Sequence, residues 1–279
     1  MHLGVDIGGT SVRVGAFSGL HDTESLASDS FQVTGDYDTD FGRLRKMCTL
    51  LRDHQRPVMS IGIAIAGVVD KDRTTLAKAG NTKQWVGQPF VKVLSGIFGC
   101  QVVLGNDAEA AGLAEAEHGN PDGGDFWFVI WGTGIGGTLV RHPYDEPLAN
   151  AGEVGHLPLL HPYPRICECG QKDCWEAYCG GAMIQKYDGV PAEQLVAEQW
   201  TVVLDNMAAG LRSIVCSQPV ERVYFGGGIA AKQPQFIPVL EEMLRQDFRI
   251  VEAPSLQLSR FGESAGTVGA LVLLSSELV

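Results

Sequence analysis

The sequence is short of positive charge. Its 21 Lys and Arg stand against 33 Asp and Glu, a formal charge of −12. A chain of that sign repels polyanions, and no cluster of basic residues relieves it locally, which argues against DNA or RNA as a partner. No apolar run reaches the about 20 residues needed to span a bilayer. The start, Met1-His2-Leu3-Gly4-Val5-Asp6, carries no secretion signal. Cysteine is sparse and odd in number, 7 in all, and four of these (Cys48, Cys100, Cys179, Cys216) are scattered. Together these features point to reduced thiols and a cytoplasmic location rather than a disulfide framework. Long linkers, charge blocks and low-complexity segments are missing, and so is any G-x-x-x-x-G-K-[ST], which removes the usual phosphate loop.

What is present is an ordinary globular composition, 45% hydrophobic and 19% charged, with a surplus of glycine, 35 residues, many at strand ends. That placement suits ligand contact through the backbone. The densest chemistry lies in Glu153-Val154-Gly155-His156 and Cys167-Glu168-Cys169-Gly170-Gln171-Lys172-Asp173-Cys174-Trp175-Glu176. One imidazole and three thiols are separated by ten, one and four residues. Zinc takes four such ligands in a tetrahedron, and short Cys spacings let one turn supply several of them. A closed set with three thiolates is a structural site, because catalytic zinc keeps an open position. Unliganded thiols are the alternative, and His161 competes with His156 for the fourth place. Glu153 and Glu176 flank the set without a clear role on the metal.

Along the chain, residues 3–17 read as strand, Gly8-Gly9-Thr10 turn and strand, with Asp6 at the first strand's end. The turn's amides can approach phosphate oxygens and Asp6 can hold a hydrated Mg²⁺, although an ordinary hairpin has the same pattern. Residues 59–67 form an apolar strand ending at Gly67, with a turn expected over Val68-Val69-Asp70. The loop from Asn81 to Gly87 carries Trp85, which suits either a sugar face or core packing. Asn106-Asp107 ends the strand at 101–104 and precedes a helix-forming run from Ala108 to Glu117, so Asp107 is either the helix N-cap or a general base.

Residues 126–140 repeat the first hairpin's plan around Gly132-Thr133-Gly134-Ile135-Gly136-Gly137. The glycines satisfy G-x-G-x-x-G, but Thr138-Leu139-Val140 continues as strand where a dinucleotide fold needs a helix, so that reading is rejected. Val203, Met207, Leu211 and Ile214 make a core stripe in a long helix. A further strand ends in Gly226-Gly227-Gly228, fit to receive a base or ribose, and residues 264–274 read as a last helix. The segment 119–124 has hinge composition.

Two glycine hairpins, a third glycine turn and a mid-chain Asp fit the actin-like ATPase plan. With the His-Cys-Cys-Cys loop added, the sequence resembles the ROK family of bacterial sugar kinases over nearly its whole length. Asp6-Ile7-Gly8-Gly9-Thr10 is similar to the family's first phosphate motif. Gly132, Thr133, Gly134 and Gly136 resemble the second, and Gly226-Gly227-Gly228 resemble the adenosine motif. Asn106-Asp107 resembles the catalytic pair. Glu153-x-Gly155-His156 with Cys167, Cys169, Cys174 and Glu176 resembles the sugar and zinc signature. Asp173 stands where the family commonly has glycine, a departure that an Asp in left-handed backbone can absorb.

The resemblance implies a two-domain α/β fold of the actin-like (ribonuclease H-like) type with an interdomain cleft and a zinc loop at 156–174. A small domain would span 1–118, with a helix at about 265–279 packing back on it, and a large one 119–264. It implies transfer of the ATP γ-phosphoryl group to a hexose or N-acetylhexosamine, at the 6-hydroxyl and with glucose favoured. Asp107 would be the base, Gly67, Asn81, Asn106, Glu153, His156 and Glu176 would hold the sugar, and Mg²⁺ would sit at Asp6. A homodimer is implied as well. Regulators of the family carry a DNA-binding segment ahead of the first phosphate motif, and a motif starting at Asp6 leaves no room for one.

Overall fold

The structure is a computed structural model and describes residues 1–51, 56–120, 123–142 and 148–276. The chain divides into two compact units, Met1–Asn120 with Ser264–Val279, and Pro121–Glu263. Part of the hinge-like stretch at 119–124 and the last residues of the expected C-terminal helix lie outside the described residues.

The first unit is built on a five-stranded sheet. Its strands are β1 (His2–Ile7), β2 (Ser11–Phe17), β3 (Ala27–Gln32), β4 (Ser60–Ile65) and, after the short β5 (Val68–Val69) and β6 (Leu76–Lys78), β7 (Gln101–Asn106). The spatial order is β3-β2-β1-β4-β7. β1 and β2 form the expected hairpin, Asp6 opposite Arg13, whereas β4 and β7 run parallel to β1. Parallel neighbours need crossovers, supplied here by α1 (Tyr37–Leu50) and α2 (Phe90–Phe98). Val68-Val69 is not a turn but one arm of a small hairpin with β6, and the chain reverses after it, where Asp70 gathers Thr74 and Thr75. A helix, α3 (Asp107–Ala114), follows β7 and widens into a π-type turn over Glu115–Gly119.

The C-terminal helix Ala265–Ser276 closes this unit. It is apolar all round, and Val268, Leu271 and Leu274 are fully buried. It lies so close to the sheet that a Cβ on Gly4 would stand 2.1 Å from the Thr267 carbonyl oxygen, and one on Gly62 1.8 Å from that of Ala270. Glycine at both positions sets the depth of the packing.

The second unit repeats the topology. Its sheet has the order β10-β9-β8-β11-β12, with β8 (Phe126–Trp131), β9 (Ile135–Arg141), β10 (Leu148–Gly152), β11 (Arg222–Gly226) and β12 (Ser255–Leu258). Again the first two strands form a hairpin and the later two run parallel to the first. The helices are α4 (Glu176–Cys179), α5 (Gly181–Asp188), α6 (Ala197–Ser217), α7 (Gly228–Lys232) and α8 (Phe236–Asp247). The predicted stripe on α6 is buried, with Met207 and Leu211 fully enclosed. Trp131, Trp175, Met183 and Phe225 complete that core.

Candidate functional site

Four side chains on two separate turns converge in the second unit. His156 ends a short 3-10 turn after Glu153. Gly155 lets that turn press on the start of β9, for a Cβ there would stand 2.1 Å from the Ile135 carbonyl oxygen. Cys167, Cys169 and Cys174 lie on a second tight loop. It is closed by Gly170 N–H donating to Cys167 O and Cys167 N–H donating to Gln171 O, both at 2.9 Å. Two residues of that loop take left-handed backbone, Gly170 at φ 89° and Asp173 at φ 58°. The departure at Asp173 is therefore absorbed as expected, and its carboxylate accepts from the Tyr178 hydroxyl at 2.5 Å.

One ligand atom from each of His156, Cys167, Cys169 and Cys174 lies within 4.8 Å of all the others. The Cys169–Cys174 sulfur separation is 3.6 Å, and Cys167 Sγ is 3.7 Å from His156 Nδ1. A tetrahedron with arms of about 2.3 Å has edges of about 3.8 Å, so the donor set fits zinc in chemistry, and these two separations match its edges. Burial pushes the Cys174 thiol up to about 11 and raises Cys167 as well. A dication among the sulfurs would favour the thiolates and reverse that. His161 is not a fourth ligand: it stacks on Tyr178 at 4.2 Å, and its Nε2 lies 2.6 Å from Asn206 Oδ1.

With Nδ1 turned to the sulfurs, His156 Nε2 faces Glu153 Oε2 at 3.7 Å. Glu176 is nearly buried, and its Oε2 accepts from Ile135 N–H at 2.9 Å while Oε1 stands 3.7 Å from Cys167 Sγ. Desolvation raises its pKa, opposed by that backbone bond and by His156. The segment after Glu176 also carries the second glycine turn, since Gly181 N–H and Ala182 N–H donate to Gly132 O and Thr133 O, both at 2.9 Å. The third turn lies beside it. A Cβ on Gly132 would be 3.5 Å from Gly228 N, and Gly227, at φ 91°, leaves no room for one against the Trp131 carbonyl. Gly132, Thr133, Gly134, Glu153, His156, Glu176 and Gly226–Gly228 thus lie in one neighbourhood. The dinucleotide pattern stays rejected, because β9 continues as strand.

In the first unit, Gly8 N–H closes the β1–β2 turn on Ser11 O at 3.0 Å. Asn81 packs on Gly9, where a Cβ would stand 2.7 Å from its own. Asp6 lies 3.9 Å from Arg13 Nη1. Desolvation pushes its carboxyl up to about 6 against the pull of Arg13. Gly266 of the C-terminal helix makes room for this carboxylate, since a Cβ there would come within 2.4 Å of Asp6 Cγ. Trp85 offers no sugar face. It is fully buried with its ring edge-on to Tyr37, Phe41 and Phe90.

Asn106, not Asp107, is the cap of α3. Its Oδ1 accepts from Ala108 N–H and Glu109 N–H at 2.8 and 3.0 Å, and its Nδ2 donates to Gly67 O at 2.9 Å. With the cap filled by its neighbour, Asp107 becomes the first helical residue, and its Oδ1 accepts from Ala108 N–H at 2.9 Å. Glu109 completes a capping box, accepting from Asn106 N–H, and pairs with Arg73. Sequence reasoning passed over Glu109, although Asn-x-x-Glu before a helix-forming run signals such a box. Arg73 and Gly266 had no sequence signal, since their partners are 36 and 260 positions away.

Residues 2–277 match the ROK family. The chain belongs to the ROK family. Within it, the N-acetyl-D-glucosamine kinase of Salmonella paratyphi C is 28% identical to this ROK protein, over 98% of this chain and 99% of that one. The fold is shared with a ROK family glucokinase from Streptomyces griseus in complex with glucose and AMPPNP, at TM-score 0.79 and 24% identity, covering 98% of each chain. It is shared too with a ROK family transcriptional regulator, a homologue of the E. coli MLC protein, at TM-score 0.74 and 19% identity over 99% of this chain and 78% of that one. The mixed α/β architecture of this ROK protein is therefore that of the family's sugar kinases. Among its described residues, no helix is long and apolar enough to cross a membrane.

Proposed function

We propose that this ROK protein transfers the ATP γ-phosphoryl group to the 6-hydroxyl of a hexose or N-acetylhexosamine, with glucose and N-acetylglucosamine the first sugars to test. The reading is carried by Asp107, which stands at the tip of β7 as the first residue of α3, directly after the Asn106 cap, in a chain of this family. Asp107 accepts the hydroxyl proton as the bond to phosphorus forms. Asn106, Glu153, His156 and Glu176 take up sugar hydroxyls, with Gly67 and Asn81 lining the same substrate; the carboxylates accept from hydroxyl groups, and an imidazole with Nδ1 on the metal donates its Nε2–H to a hydroxyl oxygen.

The amides around Gly8–Thr10 and Gly132–Gly136 face phosphate oxygens, and Gly226–Gly228 receives the adenosine. A magnesium ion supplies charge neutralisation for the transferred group, the main demand of phosphoryl transfer, and Asp6 is the residue that would hold it through water. Zinc, held by His156, Cys167, Cys169 and Cys174, supplies rigidity to the turn that carries the sugar residues. A cytoplasmic homodimer completes the proposal.

The test is a coupled ADP-release assay over a panel of hexoses and N-acetylhexosamines, with the product's phosphate position read by NMR. A 6-phosphate is expected from at least one sugar. Asp107→Asn should lower turnover by about 10²–10⁴-fold, the range of a general base, and leave sugar affinity in place. Retained turnover in that variant would remove Asp107 as the base.

A further inference from the structure

The hairpin formed by β5 and β6 has no part in the chemistry so far assigned, yet its tip is unusually constrained. Asp70 Oδ1 accepts from the backbone N–H of Thr74 and Thr75 at 2.7 and 3.1 Å, and Oδ2 from their hydroxyls at 2.9 and 3.0 Å. These bonds, that to Thr75 foremost, hold the Asp70 carboxyl down at about 2. Within this knot Arg73 takes left-handed backbone, φ 52°, a conformation that side chains with a Cβ rarely adopt. Its guanidinium forks onto one carboxylate: Nη2 to Glu109 Oε1 at 2.7 Å and Nη1 to Glu109 Oε2 at 3.3 Å. The fork lies beside Gly105, where a Cβ would stand 3.3 Å from Arg73 Nη1 and, closer still, 2.4 Å from Leu273 Cδ1.

Glu109 is the far half of the capping box. Its Oε2 accepts from Asn106 N–H at 3.4 Å while the Asn106 side chain accepts from Glu109 N–H. Asn106 is held a third time, by Gly67 O at the root of the same hairpin. The hairpin therefore grips the start of α3 at its root and at its tip, on either side of Asp107. A single strained residue maintained by a bidentate ion pair is what a positional constraint on that helix start requires.

We infer that Arg73 is a positioning residue for the base Asp107: through Glu109 it fixes the Asn106 cap and so the direction of the neighbouring carboxylate. This rests on the kinase reading of the preceding section. Misplacing a reacting group slows the chemical step more than it weakens ground-state binding, so kcat should fall by more than the KM for sugar rises, and the KM for ATP should not change.

Arg73→Gly is the informative variant, because glycine takes φ 52° without strain, so the ion pair is lost while the backbone conformation is kept. Steady-state kinetics of the full chain should show kcat lowered about tenfold to a hundredfold. The KM for ATP should stay within about twofold, the KM for sugar should change less than kcat because Asn106 is itself a sugar contact, and the melting temperature should be unchanged or higher. Arg73→Lys, which keeps the charge but loses the fork, should fall between the two and gives the same reading should the glycine variant not fold. In a Glu109→Gln background, Arg73→Gly should add little further loss. A kcat equal to wild type in Arg73→Gly or Arg73→Lys, or a loss that follows the melting temperature and both KM values, would overturn the inference alone. A wild-type protein inactive on the whole sugar panel would overturn the kinase reading and the inference with it.

Discussion

At the scale of single residues, the geometry around Asp6 sets cost against function. Its carboxyl, at about 6, titrates above the ordinary value of about 3.9 because packing removes water that Arg13 only partly replaces. The folded state therefore binds the proton more tightly than the unfolded chain. Stability falls as pH rises from about 4 to about 6, and above that an ionised Asp6 costs up to about 3 kcal/mol. Asp6→Asn should raise the melting temperature at pH 7.5 and change it little at pH 4, measured by thermal unfolding, while nucleotide-dependent turnover falls. A variant no more stable than wild type at pH 7.5 would mean that the carboxylate is already neutralised in the folded chain. Asp107 and Asn106 divide the start of α3 between them, Asn106 filling the cap and Asp107 taking the first helical position.

At the scale of elements, the thiol loop depends on α6. Trp175 directly follows Cys174 of that loop, and its fully buried ring lies flat on Gly210, where a Cβ would come within 2.1 Å of the indole. Gly210→Ala gains helix propensity on an α-helix but forces the ring away, and overpacking of that kind costs about 1–3 kcal/mol. A lower melting temperature together with faster zinc release to a colorimetric chelator is the expected result, and a stabilised variant would contradict the packing argument. Cys169→Ser probes the same loop from its other side. Zinc content should fall and the KM for sugar should rise together, because His156 has one nitrogen toward the sulfurs and the other beside Glu153. An unchanged KM in a folded, zinc-free variant would separate the loop from the sugar.

At the scale of the whole molecule, each unit has its own sheet and its own buried core, and the chain's last helix belongs with its first strands. Gly62→Ala places a methyl group 1.8 Å from the Ala270 carbonyl oxygen, against backbone that cannot rotate away. The C-terminal helix would have to lift, and the loss should exceed about 3 kcal/mol. Calorimetry of the intact protein should show this loss in one unfolding transition, whereas a zinc chelator should lower the other. A single transition moved equally by both would mean that the two units unfold as one.

Short-range spacing along the chain is enough to set the local chemistry of this ROK protein. The two glycine hairpins, the stripe on α6, the His and three Cys and the Asn-Asp at a strand end are all set by neighbours a few positions away. There, spacing and backbone freedom are the whole of the physics. Packing was needed to establish which histidine joins the sulfurs, that Trp85 is core, and that Asn106, not Asp107, caps α3. Those outcomes depend on volume and hydrogen-bond competition among residues distant in the chain. The same holds for Arg73 with Glu109, Gly266 with Asp6 and Gly210 with Trp175. Each is an ordinary residue in its own stretch, and only packing brings its partner within reach.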